Sequence, residues 1–171
     1  MALRVLSFSR SYRPAGRGGA VSRVLLVGES NPYGSDPRFA LYPEPAGCAG
    51  ARLCAILGVT DREYLQAFDR CNLTTLAWSL PSARRAAGRL TAKYRVLLGG
   101  RVAAAHGVEF IPFARVDGRG ARRGWLVLPH PSGRSRLWNK PGAAVEARRL
   151  VLDLIRQAAL MELVTREAAR G

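Results

Sequence analysis

Two stretches of this chain carry residue types suited to proton transfer and phosphate binding. The first is Gly28-Glu29-Ser30-Asn31-Pro32-Tyr33-Gly34, directly after the apolar run Val24-Leu25-Leu26-Val27; the second is His130-Pro131-Ser132-Gly133-Arg134-Ser135-Arg136, directly after Trp125-Leu126-Val127-Leu128. Pro129 and Pro131 flank His130, fix φ and remove backbone donors, so the imidazole is held on a stiff, bent loop at a strand end. The Ser, Gly and Arg residues that follow make a small, basic, donor-rich loop suited to a phosphate backbone. Taken alone, the same residues also describe a cationic surface turn with an ordinary histidine. In the first stretch Glu29, Ser30 and Asn31 follow a strand at the edge where open α/β sheets place their ligands. It is not a nucleoside-triphosphate loop, because the Lys-Ser/Thr pair and the GxGxxG pattern are both missing.

The elements that must position these residues follow from apolar patterning. Val24–Val27 reads as a strand covered on both faces, stopped by Gly28. After a loop bearing Phe39, Tyr42, Pro43 and Pro45, helical spacing covers Ala49–Leu57. Thr60-Asp61-Arg62-Glu63 has capping-box spacing and starts a short helix through Phe68. Cys71–Leu73 reads as a second strand, Ser82–Ala92 as an Arg/Ala helix, and Tyr94–Leu98 as a third strand closed by Gly99-Gly100. Val102–His106 fits one short helix, with His106 in a structural role near its end. Phe110–Val116 and Trp125–Leu128 read as strands around the Asp117–Gly120 turn, and Ala143 to about Ala169 as a long helix with Leu150, Leu154, Ile155 and Leu163 on one face. Strands alternating with helices predict an α/β domain around a mainly parallel sheet.

Composition sets outer limits. A chain of 171 residues with 48% hydrophobic content suits one domain over 21–171, preceded by a basic, flexible arm at 1–20 whose Arg, Ser, Gly and Pro cannot bury enough apolar surface to order themselves. Lys+Arg 27 against Asp+Glu 12, a net charge of +15, points to a polyanionic partner, nucleic acid first. Nearly all the cations are arginine, a bias that bidentate phosphate contacts or a GC-rich genome would each produce. The three cysteines, Cys48, Cys54 and Cys71, have no CxxC spacing and read as reduced thiols of a cytoplasmic protein. With two histidines there is little material for a metal or iron-sulfur site. No apolar run approaches the ~20 residues that span a bilayer.

Together, the Asn-Pro loop after the first strand and the His-Pro-Ser-Gly loop after the last resemble the two motifs of the uracil-DNA glycosylase superfamily, and the resemblance covers about Val21–Ala159 in element order. It implies a three-layer α/β/α fold around a mainly parallel four-stranded sheet, and a monomeric enzyme of base excision repair that removes uracil from DNA without metal or cofactor. By motif position Asn31 would hold the attacking water, and Glu29 would share or take over its activation, since an amide cannot act as a base. His130 would donate a hydrogen bond to the uracil O2 as charge develops there. Tyr42 or Phe39 would stack on the extruded base, with Gly28 and Ser30 also among the substrate-binding residues. Asn72 would read O4 and N3–H of uracil with one acceptor and one donor, a pattern that cytosine reverses. Ser132, Gly133, Arg134, Ser135 and Arg136 would contact DNA, Arg134 standing where relatives insert a wedge into the duplex. The same residues leave open another modified base (hypoxanthine, xanthine or 5-hydroxymethyluracil) and a non-catalytic nucleic-acid binder.

Overall fold

The computed structural model describes residues 23–31, 34–116 and 124–169; the arm at 1–20, Pro32 and the Asp117–Gly120 turn lie outside them. The described chain is a mixed α/β structure with five strands and five helices, in the order β1 (Val24–Ser30), α1 (Ala49–Leu57), α2 (Asp61–Ala67), β2 (Phe68–Thr74), α3 (Leu80–Gly88), β3 (Arg95–Leu98), α4 (Gly100–Ala105), β4 (Ala114–Arg115), β5 (Trp125–Leu128) and α5 (Ala143–Ala168). The strands form one sheet of order β2-β1-β3-β5-β4. The pairs β1–β2, β1–β3 and β3–β5 are parallel, while β4 runs antiparallel to β5.

Continuous apolar runs form the central strands because their alternate side chains are buried in two separate clusters. Val24 and Leu26 of β1, Val96 and Leu98 of β3, and Leu126 and Leu128 of β5 pack in one cluster with Leu53 and Leu57 of α1, Tyr64 of α2, and Leu150, Val151 and Leu154 of α5. The intervening Leu25, Val27, Leu97 and Val127 pack in a second cluster with Ala83, Ala86 and Ala87 of α3 and Val102 and Ala103 of α4. This is the period-2 alternation of side chains along a strand. The small alanines of α3 and α4 let those helices lie close to the sheet, whereas the other face takes larger residues.

Local chemistry explains several boundaries. The capping box of α2 is complete: Glu63 N–H donates to Thr60 Oγ1 (3.2 Å) and Thr60 N–H to Glu63 Oε2 (2.8 Å). The helix ends one residue earlier than expected, because Phe68 is already extended and begins β2. The Arg/Ala helix begins at Leu80, two residues before the expected Ser82, and ends at Gly88, before the expected Ala92.

Two corrections concern the sheet. It has five strands where the family resemblance implies four, since Ala114 and Arg115 pair antiparallel with Val127 and Leu126. The connection between β4 and β5 is too short for the helical crossover that a parallel neighbour requires. The rest of Phe110–Val116 is not strand: Pro112 lacks a ladder donor and Phe113 takes φ 60°, which breaks the extended run. Secondly, Gly28 does not stop β1, which continues through Glu29 to Ser30. Among the described residues no helix is long and apolar enough to cross a membrane.

Candidate functional site

The chain leaves β1 for β2 on one side and later places β3 on the other, so a crevice opens at the C-terminal ends of these strands. A cavity of about 820 Å³ occupies it. Asn72 from β2, Glu29 and Ser30 from β1 and Asn31 directly after it, and His130 and Ser132 from the loop after β5 all line this cavity, as do Phe39 and Tyr42. Residues from four separate parts of the chain are thereby brought to one sheet edge.

Gly28 serves this site from within the strand. It is the register partner of Asn72, and a Cβ at position 28 would lie 2.2 Å from Asn72 Oδ1. The bare Cα is what gives the amide its place. Among the described residues Asn72 Oδ1 is buried with no hydrogen-bond partner, a condition worth roughly 1–3 kcal/mol of lost solvation. The ends of β1 and β2 are further tied together by Thr74 Oγ1 donating to the Glu29 carbonyl (3.0 Å) and Asn31 N–H donating to the Thr75 carbonyl (3.0 Å).

His130 sits across the crevice, with its backbone carbonyl accepting from Trp138 Nε1 (2.9 Å). The Ser132 N–H donates to His130 Nδ1 at 3.1 Å. A neutral imidazole that accepts at Nδ1 carries its proton on Nε2, so the ring is held as an Nε2–H donor. Burial pushes the His130 pKa below the ordinary histidine value, and the negative charge of Glu29 opposes part of that shift. The neutral donor form is therefore the resident one at neutral pH.

Strand β3 lies between β1 and β5, and its end makes the approach of Glu29 to His130 possible. Gly99, the residue after β3, takes φ 99° and ψ 162°, a conformation open essentially to glycine alone. A Cβ there would meet His130 Cβ at 3.1 Å and Glu29 Oε1 at 3.4 Å. Any side chain at this position would stand between the two. Glu29 is also paired with Arg101 of α4 (Oε2 to Nη1, 3.5 Å), whose side chain is exposed.

Asn31 is buried, and its Nδ2 donates to the Asp36 carbonyl at 3.3 Å. Asp36 caps the 3-10 turn Pro37–Phe39 and chelates Arg38 (2.7 Å), whose guanidinium holds the carboxyl below the usual carboxylate range. This turn presents Phe39, exposed at the rim, edge-to-face with Tyr42 (centroids 6.0 Å, 82°). Tyr42 is half-buried, and Arg70 lies 5.5 Å from its ring centroid while donating to the Ala40 carbonyl (3.1 Å).

The backbone that carries Tyr42 is bound at each carbonyl. Leu41 takes φ 48°, its carbonyl accepts from the Tyr64 hydroxyl (3.0 Å), and burial pushes that hydroxyl's pKa up. The Tyr42 carbonyl accepts from the Cys48 thiol (3.1 Å), whose sulfur in turn accepts from Ala51 N–H as the N-cap of α1. A Cβ on Gly50 would fall 2.2 Å from the Tyr42 oxygen. Leu41, Glu44, Pro45, Cys48, Ala49 and Gly50 also line the cavity, and sequence reasoning missed all six. The available signal was Gly50 in the first turn of a helix, where glycine marks a close backbone approach.

The basic loop divides at Ser132, which lines the cavity. Gly133, Arg134 and Arg136 are exposed beyond it, Ser135 is half-buried with its N–H on the Ser132 carbonyl (3.1 Å), and none of these four lines the cavity. His106 lies apart from the site, buried edge-to-face on Trp125 (5.3 Å, 84°). No protein-family model matches the chain, and comparison with curated proteins and with solved structures returns no match.

Proposed function

We propose that this protein is a DNA glycosylase of the uracil-DNA glycosylase type, with the three-layer α/β/α arrangement of that superfamily, that hydrolyses the N-glycosidic bond of uracil or a related deaminated base. The observation that supports the reading above all others is His130 held as an Nε2–H donor by the Ser132 N–H, in one cavity with Glu29, Asn31, Tyr42 and Asn72. A leaving base accumulates negative charge on its carbonyl oxygen as the C1′–N1 bond breaks, and a fixed neutral donor stabilises that charge without reorganisation.

In this reading the base leaves the stack, lies against Tyr42 and presents its polar edge to the side-chain amide of Asn72, which lines the cavity. Water attacks C1′, its oxygen forms the new bond, and the base departs with the electron pair of C1′–N1. Asn31 orients the water but cannot take its proton. Of the two carboxylates lining the cavity, Glu29 and Glu44, Glu29 is the one beside His130, so Glu29 accepts that proton. The charge of the leaving base faces His130, and the proton of the water goes to Glu29.

The cavity volume also leaves room for a bicyclic base, so hypoxanthine and xanthine belong in the test with 5-hydroxymethyluracil. Oligonucleotides bearing each base, single-stranded and mispaired, are incubated with the protein and then treated with alkali. Strand cleavage at uracil is the expected outcome. Absence of cleavage at every base, with salt-dependent binding retained, would replace this reading with a non-catalytic nucleic-acid binder.

A further inference from the structure

Arg52, on the second turn of α1, plays no part in the cavity chemistry yet is built into its rim. Its guanidinium lies directly over Gly133: a Cβ on that glycine would be 2.8 Å from Arg52 Nη1 and 3.4 Å from Cζ. The side chain therefore bridges α1, whose Cys48, Ala49 and Gly50 line one wall of the cavity, to the loop whose His130 and Ser132 line another. The guanidinium is exposed, and among the described residues it has no acidic partner. By contrast Arg149 and Arg156, on the outer face of α5, are paired with Glu146 and Asp153. Arg134 and Arg136, next to Gly133, are likewise exposed without an acidic partner among the described residues.

We propose that Arg52, seated on the bare Cα of Gly133, is a phosphodiester-binding residue at the cavity mouth that takes the backbone phosphate next to an extruded nucleotide. The proposal rests on the reading of the cavity as a base pocket, since it places a phosphate where the sugar of such a base would emerge. A guanidinium presents paired N–H donors that match two phosphate oxygens. Packing against the Gly133 backbone fixes its direction before the ligand arrives, so less side-chain freedom is lost on binding. Gly133 lies in an exposed loop beside Arg134, so an approaching phosphate meets positive charge from both walls of the crevice at once.

The test is equilibrium binding of a fluorescent uracil-containing single-stranded oligonucleotide to the full chain, by anisotropy, over a range of KCl concentrations. Arg52→Gln is expected to weaken binding about tenfold at low salt and to reduce the slope of log K against log salt by about 0.7, the value for one phosphate on a single strand. Gly133→Ala, whose methyl displaces the guanidinium, is expected to reproduce the loss, and the double variant to bind no more weakly than Arg52→Gln. Arg156→Gln removes the same charge from α5 and is the control, expected to keep most of the wild-type slope. Wild-type affinity and slope in Arg52→Gln, or equal effects of Arg52→Gln and Arg156→Gln, would overturn the proposal, as would no binding by the wild type. An Arg52-dependent slope in a protein that cleaves no base would sustain the phosphate site and remove the glycosylase reading.

Discussion

Gly99→Ala isolates how the site depends on the end of β3. At φ 99° and ψ 162° an alanine is forced into a region that costs about 1–3 kcal/mol. In a domain of this size that lowers the melting temperature by about 2–12 °C. The added Cβ would also lie 3.1 Å from His130 Cβ, roughly half an ångström inside the optimum for two carbons. Its 3.4 Å approach to Glu29 Oε1 is ordinary contact, so the displacement falls on His130. A 1 Å misplacement of a catalytic group costs about a hundredfold, so half of that corresponds to about tenfold in turnover. The control is Gly107→Ala: its φ of 64° carries a similar backbone penalty, but a Cβ there meets nothing within 4 Å. Thermal melts, single-turnover cleavage and the ring-proton NMR shifts of the two histidines are compared for both variants. Both should melt lower, and only Gly99→Ala should slow turnover and move the His130 resonance. An unmoved His130 signal in Gly99→Ala, or equal loss of turnover in Gly107→Ala, would refute the reasoning.

Glu29→Gln should lower single-turnover cleavage by about a hundredfold or more, as removal of a general base does, and Asn31→Ala by less; the reverse order would refute Glu29 as the proton acceptor. Gly28→Ala places a methyl 2.2 Å from Asn72 Oδ1, so it should cost about 1–3 kcal/mol of stability in denaturant titration and reduce the preference for uracil over cytosine; undiminished preference would detach Asn72 from base reading. The lowered His130 pKa has a definite sign. The unfolded chain takes up a proton near pH 6.5 that the folded chain does not, so this contribution to stability is complete above that pH and is lost as pH falls through the depressed folded value. His130→Asn should therefore flatten the acid limb of the stability profile, and wild-type turnover should persist to pH values below the ordinary histidine range. A wild-type stability that rises on acidification through this window would reverse the assignment.

Much of the fold is legible because it is local. Ala49–Leu57 and Trp125–Leu128 are read to the residue, and the α2 capping box fixes its own start. The errors arise where a distant partner decides. Gly28 has the look of a strand terminator when only its neighbours are considered, and becomes a paired strand residue once β2 supplies the Asn72 opposite it. Phe110–Val116 has strand composition, but Pro112 and the φ 60° of Phe113 leave two residues to pair.

The site divides the same way. Glu29, Asn31 and His130 are legible because each lies at or just beyond the C-terminal end of a strand, and chain direction alone sends parallel strand ends to one edge. What makes them a site is not visible in either motif. Strand spacing of about 4.8 Å leaves Glu29 and His130 two strands apart across β3, and they share a wall only because Gly99 has nothing to place between them. The same device recurs. Gly28 yields its side-chain space to Asn72, Gly99 to His130 and Gly133 to Arg52, each partner coming from another element. In a sequence a glycine is read as a turn or a break. Here three of them are positions where the side chain that matters belongs to a different part of the chain, and strand order, which no short pattern encodes, determines which part that is.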